Sequence, residues 1–310
     1  MLPKTAGATE PAVISVSRRT DIPAFYAQWF IERVRAGFCT VPNPFNSRQP
    51  PRRIDLRPEA VRAFVFWTRD ARPLLPYLPE LDRRGYRYYF LYTLTGYPRI
   101  LEPACPERAG ALETLRQLAR HVGPQRLIWR YDPVLFSNYT PPEWHRDNLN
   151  GLFPCLEGVV ERMIFSVIEP YRKTVRRLRA ETAADFVLYP DAFTVSAYED
   201  FIGWMALAAA RFGIQAENCA QAGGWSAAGV GQSQCINAPL IHALSGSPVS
   251  DKKDPGQRRL CRCTVSLDIG MADTCLFGCV YCYATRSRDY ARKRYASHRP
   301  QGESLCPHVF

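Results

Sequence analysis

Acidic side chains are under-represented in this 310-residue chain: 29 Asp and Glu stand against 40 Lys and Arg, a net charge of +11. Such a balance points to nucleic acid or another polyanion as a charged partner, unless the arginines only cover solvated faces. No run of eighteen apolar residues occurs, and the opening MLPKTAGATEPAV carries no hydrophobic signal segment. The expectation is a soluble, cytoplasmic protein with no membrane partner. Also missing are a G-x-G-x-x-G at a strand end and a Walker lysine, so the Gly-rich QAGGWSAAGVGQSQC reads as a loop, not a phosphate cradle. No sequence repeat is visible beyond a strand–helix rhythm.

Hydrophobic residues make up 46% of the chain, ample for one large domain with a sizeable core. Cysteine is plentiful: eleven residues, seven of them between positions 219 and 282. In a cytoplasmic chain that clustering argues for metal or redox chemistry rather than disulfides.

Strand-like runs recur at Val13–Val16, 63–68 (AFVFWT), 86–96 (YRYYFLYTLTG), RLIWRYDPVLF, RMIFSVIEPY at 162–171 and the short IQAENCAQ. Helical patterns lie between them, through Phe25, Trp29, Phe30 and Val34, through Leu112, Leu115 and Leu118, and in YEDFIGWMALAAARFG. The basic YRKTVRRLRAET reads as an exposed amphipathic segment, and Pro-rich 41–58 as a loop. Strand–helix alternation of this kind predicts an α/β fold with a parallel sheet, open or closed into a partial TIM-type barrel. One domain is expected, with a core over 12–287, a Cys-rich segment at 219–263 and a basic C-terminal tail at 286–310. The polar strand ends SRRTD, FWTRD, TLTGY, WRYDP and FSVIEPY are where ligand contacts would collect, although each polar residue alone serves equally well as a cap or ion-pair partner.

Near the end, TVSLDIGMADTCLFGCVYCYATRSR places Cys275, Cys279 and Cys282 in a C-x3-C-x2-C spacing. They follow the alternating Val265, Leu267 and Ile269 and precede a helix-compatible stretch, so they sit on a strand-to-helix loop. A four-iron cluster ordinarily takes four thiolates, and three from one loop leave an iron with an open position. A structural zinc site is the alternative, with His298 or Cys306 as fourth ligand.

CLFGCVYCYA resembles the cluster loop of radical S-adenosylmethionine (SAM) enzymes, and YCYA in particular the spore photoproduct lyase-like branch. RTDIP (19–23), FWTRD (66–70), TLTG (93–96) and LEPACP (101–106) are similar in order to that branch's strand-end motifs, except that the cluster loop comes last. The resemblance therefore implies a circularly permuted barrel, in which the strand at 264–270 lies parallel to, and hydrogen-bonded with, the strand at 12–18. The chain as a whole is identified as resembling the DUF1848 family, through SRRTDIPAFY, PNPFN, FVFWT, LTGY, WRYDP, CAQ, QCIN, CRCTVSLDIG and CLFGCVYCYA, over about residues 13–287.

What the resemblance implies is specific. Cys275, Cys279 and Cys282 would ligate a [4Fe-4S] cluster, and Tyr281 would lie where the adenine of SAM packs. Arg69 stands at the lysine that contacts the SAM carboxylate, a change that is not an equivalent one. Thr93 stands at a serine that could bond the methionyl carboxylate or ribose, while Ser17 and Asp21 belong to the strand neighbouring the cluster strand. The Gly-Gly-Glu motif common in radical SAM enzymes is replaced by SRRTD. Cys219, Cys235, Cys261 and Cys263, spaced C-x15-C-x25-C-x-C, suit a second iron–sulfur cluster or a four-thiolate zinc site, unless one or two are simply buried. Cys39, Cys105, Cys155 and Cys306 show no partner spacing and read as packing residues.

The function this implies is a radical SAM enzyme that draws on an electron donor such as flavodoxin or ferredoxin and acts on nucleic acid or a nucleotide. Two alternatives stay open. One is a radical SAM enzyme for a peptide or small metabolite. The other is a non-catalytic zinc or iron–sulfur nucleic-acid binder served by the basic RSRDYARKRYASHR.

Overall fold

Strands that are apolar on both faces must be covered on both faces, and this chain is built around that requirement. The structure, a computed structural model, describes residues 10–43, 46, 48–169, 171–182, 184–189, 195–221 and 229–307, with only the backbone of 195–198. In chain order the first half comprises β1 (Ala12–Val16), α1 (Ile22–Phe25), α2 (Ala27–Ala36), β2 (Phe38–Val41), β3 (Arg52–Asp55), β4 (Val61–Thr68), α3 (Leu78–Arg83), β5 (Tyr88–Thr93) and α4 (Arg108–Val122). The second half comprises β6 (Leu127–Val134), α5 (Pro142–Leu156), β7 (Arg162–Val167), α6 (Arg172–Glu181), α7 (Val195–Ala210), β8 (Gln215–Asn218), β9 (Gly231–Gln232), α8 (Ala238–Ser245), β10 (Leu267–Asp268) and α9 (Arg288–Ala296).

Eight strands form one sheet in the order β10-β1-β4-β5-β6-β7-β8-β9, parallel throughout. The sheet is not closed: among the described residues β10 and β9 are its two edges, so the architecture is an open parallel α/β sheet, with which the expected partial barrel is consistent. The expected pairing of the C-terminal strand with the N-terminal one is present, with Ile14 opposite Leu267 and Ser15 opposite Asp268.

One face of the sheet carries Phe64, Phe66, Tyr88, Phe90, Trp129, Tyr131 and Phe165, all buried against the apolar sides of α2, α4, α5 and α7. The other face is smaller in its side chains, with Val13, Ala63, Val65, Leu91, Ile128 and Ile164. It is covered by Ile236, by Ile241 of α8, and by Cys219, Cys235, Cys261 and Cys263. Alternation along each strand thus separates an aromatic, helix-packed face from a face that meets the Cys-rich segment.

Some expectations need correction. Segment 41–58 is not all loop: β3 pairs antiparallel with β2, because the apolar Cys39 and Ile54 stand opposite each other and are buried. The strand at 264–270 shortens to two residues, and the tail beyond 286 is not loose. It forms α9 and then packs on α2, where Trp29 Nε1 donates to the Gly302 carbonyl (2.9 Å) and Arg33 to that of Gln301 (3.0 Å). Leu305 and Cys306 are fully buried there, which outweighs the charge that made the segment look uncommitted. Residues 222–228 of the Gly-rich segment and residues 44–45 of PNPFN fall outside the described residues, and the rest of the Gly-rich segment is not all loop, since it contains β9.

Candidate functional site

In a parallel sheet the loops after the strands share one end, and backbone there has no ladder partner. The loop bearing Cys275, Cys279 and Cys282 lies at that end and is tied down through its main chain. Val280 N–H donates to the Leu101 carbonyl (3.0 Å), Ala104 N–H to that of Phe277 (3.2 Å), and Cys282 N–H to that of Cys279 (3.0 Å). Phe277 packs on Phe25 of α1, ring centroids 4.6 Å apart. From α6, Arg177 spreads its guanidinium over the loop and donates to the carbonyls of Val280 (2.8 Å), Cys279 (3.1 Å), Cys282 and Thr285. A planar fork with five N–H groups is the side chain suited to so many acceptors. Gly278 has φ +68°, and a Cβ there would meet Arg288 Nε at 2.4 Å, so the turn between the first two cysteines requires glycine.

The loop delivers its cysteines differently: Cys279 is buried, while Cys275 and Cys282 are half-buried. Against Cys279 lies Cys105, Sγ to Sγ 3.6 Å. Glu102, Cys105 and Cys279 offer ligand atoms all within 4.8 Å of one another, a tight acid–thiol group. Within the pair, the hydrogen bond with Cys105 and then the nearby Arg69 hold the Cys279 thiol low, whereas the Cys105 thiol is pushed up by that bond and by burial. The surrounding protein also pushes Cys275 up, with Cys282 and Asp21 adding to the effect.

Beside them runs a buried polar network. Arg69 pairs with Glu102 (2.9 Å) and donates to the Tyr281 hydroxyl (2.7 Å) and to Thr95 (3.3 Å). Thr95 (2.5 Å) and Tyr281 both donate to the same Glu102 oxygen. Next to this network opens a cavity of about 220 Å³ whose walls include Arg69, Thr93, Gly96, Glu102, Cys105 and Arg108. Charged Arg69, Glu102 and Arg108 share the walls with Leu94, Pro98 and Ala111, so the hollow suits a ligand with both polar and apolar parts.

Asp21 caps α1 and accepts from Ala24 N–H (2.9 Å), Thr68 Oγ1 (2.8 Å) and Arg69 N–H (2.7 Å). Burial raises its carboxyl to about 7 despite those three donors. Ser17 is engaged elsewhere: it donates to Asp268 (2.6 Å), which also accepts from Ser15 (3.0 Å), Arg18 N–H (2.9 Å) and Gly270 N–H (3.0 Å). A Cβ on Gly270 would stand 2.1 Å from Ser17 Oγ, so β1 and the segment after β10 approach as closely as glycine permits. The geometry thus gathers Cys275, Cys279, Cys282, Tyr281, Arg69, Thr93 and Asp21 at one end of the sheet, and leaves Ser17 as the β1–β10 fastener. His298 and Cys306 are bonded to the carbonyls of Leu305 (2.6 Å) and Arg294 (3.5 Å) respectively.

The second group also converges. Cys219 and Cys235 have their sulfurs 3.8 Å apart, Cys263 N–H points to Cys261 Sγ (3.5 Å), and Cys235 and Cys263 influence each other's ionisation. Hydrogen bonds from Cys235 hold the thiols of both Cys219 and Cys263 low, and Arg130 and Arg18 respectively act in the same direction.

Glu102, Cys105, Arg177 and Asp268 were not picked out from the sequence. LEPACP contains the first two, but Cys105 and Cys279 are 174 residues apart, a relation that no local spacing carries.

A family model described as "Domain of unknown function (DUF1848)" matches residues 13–284, and the chain belongs to that family. No curated protein and no solved structure matches it.

Proposed function

We propose that this member of the family is a radical SAM enzyme whose cluster is held by Cys275, Cys279 and Cys282. The observation that carries the reading is three thiols on one main-chain-anchored loop at the end of a parallel sheet that follows its strands, beside a cavity walled by Arg69 and Glu102. The donor set fits a four-iron cluster with one open iron. Cys105, 3.6 Å from Cys279, is a further thiol at this site, whereas His298 and Cys306 are tied to backbone carbonyls. A cluster bound there would supply the electron that cleaves SAM to methionine and a 5′-deoxyadenosyl radical.

The chain's own residues position and insulate. Arg69 is the cation beside the cavity, and its pairing with Glu102 means that an entering carboxylate competes with that acid for the guanidinium. Tyr281 is buried with its ring edge-on to Tyr97 at 5.9 Å, which makes an aromatic wall behind the loop. Thr93 lends a hydroxyl to the cavity wall, and Asp21 sets the backbone of Arg69. The net charge of +11 favours a nucleic acid or nucleotide as substrate, and the chemistry implies a cytoplasmic setting with flavodoxin or ferredoxin as reductant. The β10–β1 pairing supports the permuted order of this barrel.

The test is anaerobic purification with iron and sulfide analysis and an assay for 5′-deoxyadenosine. The Cys275→Ala/Cys279→Ala/Cys282→Ala variant is expected to lose one cluster's iron and all SAM cleavage. Formation of 5′-deoxyadenosine by that variant would defeat the reading.

A further inference from the structure

The sheet is open, and its two edges end in cysteines. Cys219 directly follows β8 and continues its ladder, N–H to the Phe165 carbonyl at 2.8 Å. Cys235 follows β9, the strand at one edge. Cys261 and Cys263 stand a few residues before β10, the strand at the other edge. The two arms meet: Thr264 N–H donates to the Ile236 carbonyl (3.1 Å), and Ile236 N–H points to Cys263 Sγ (3.3 Å). All four thiols are buried in one cluster with Ile236 and Ile241, on the sheet face that the long helices do not cover.

We propose that Cys219, Cys235, Cys261 and Cys263 form a closed tetrathiolate metal centre that clasps the two edges of the open sheet together.

Charge supports it. Four thiolates around either a single zinc-type ion or a four-iron core leave roughly two negative charges, too costly to bury unpaired. Three arginines stand near the thiols, although each also pairs with a carboxylate: Arg18 with Asp254 (3.7 Å), Arg130 with Asp132 and Arg258 with Glu169 (2.5 Å). Arg258 reaches Cys219 Sγ at 3.9 Å, Arg130 faces Cys235 and Cys219, and Arg18 faces Cys263 and Cys235. Arg18 Nη2 and Arg130 Nε are buried without a hydrogen-bond partner. Both guanidiniums lie close enough to these thiols to feel their charge, so an anionic centre would offer the two unpartnered donors an acceptor nearby. With four protein ligands the centre has no open position, so its role is structural, unlike that of the three-cysteine loop. Joining the edges through metal bonds does for this sheet what strand pairing does in a closed barrel.

Single Cys219→Ser and Cys263→Ser variants, each in the otherwise unchanged chain, test the assignment by elemental and sulfide analysis after anaerobic purification. A loss of about one zinc per chain identifies the ion form, and a loss of about four iron with matching sulfide the cluster form. Either result supports the centre. Metal content unchanged by both substitutions overturns it. In wild-type protein, chelation should speed amide exchange at Ile236 and Thr264 at least tenfold. Unchanged exchange after metal loss overturns the clasp. Neither readout uses SAM cleavage, so a failure here is separable from a failure of the radical SAM reading.

Discussion

At the scale of single residues, burial decides the chemistry more than residue type does. His145 on α5 is fully buried among Tyr97, Tyr131, Trp144, Phe136 and Phe201. Its Nε2–H donates to the Leu135 carbonyl (3.0 Å), and Nδ1 accepts from the Tyr131 hydroxyl (2.6 Å), an arrangement that needs the neutral ring. Burial lowers its pKa to about 4. Between that value and the unfolded pKa of about 6.5 the unfolded chain binds the extra proton, so stability falls as pH drops through this window. The shift corresponds to about 3 kcal/mol, and urea denaturation at pH 7 and pH 4.5 should show wild type losing more stability than His145→Gln by that order. Equal losses would mean the ring ionises freely. None of this was legible from a lone histidine in PEWHRD. Cys105 teaches the same lesson, since its partner is set by the fold and not by spacing.

Elements were far more legible. The apolar runs of β1, β4 and β5 and the helical period of α4 match their structure, because both faces of each strand and one face of each helix meet apolar neighbours. Where the reading failed, the determinant was tertiary: β3 exists because β2 is there to pair with it, and α9 is held where Tyr295 meets Tyr26, ring centroids 5.5 Å apart. Helix α6 looked like a solvated basic segment, and most of its charge is exposed. Arg177 is the exception, since it holds the cysteine loop by four carbonyls. Arg177→Met should leave those acceptors unpaired and cost about 2–4 kcal/mol locally. Amide exchange across 277–285 is expected to accelerate, with Arg177→Lys recovering only part because an ammonium cannot fork. Unchanged protection in the methionine variant would reduce Arg177 to a surface cation.

For the whole molecule, the ends of the chain meet. β10 adds to β1, the cysteine loop follows β10, and the segment after α9 returns to α2 and to β2, where Thr40 N–H donates to the Glu303 carbonyl (2.9 Å). The loop thus lies between a strand paired with β1 and a segment, 301–303, that packs on α2 and β2. Among the described residues no helix is long and apolar enough to cross a membrane. The basic Arg292 and Lys293 of α9 are exposed, while the segment that follows is anchored on α2. Two views of this segment make different demands on Leu305, which is 1% exposed. If 288–307 were an uncommitted arm reserved for nucleic acid, Leu305→Ala would change stability by no more than about 0.5 kcal/mol, as surface substitutions do. Packed as it is, the substitution removes buried methyl groups beneath α2 and is expected to cost about 2–4 kcal/mol. Equilibrium denaturation decides between them. Loosening this anchor should also raise protease sensitivity near Trp29, the side chain that the C-terminal segment covers.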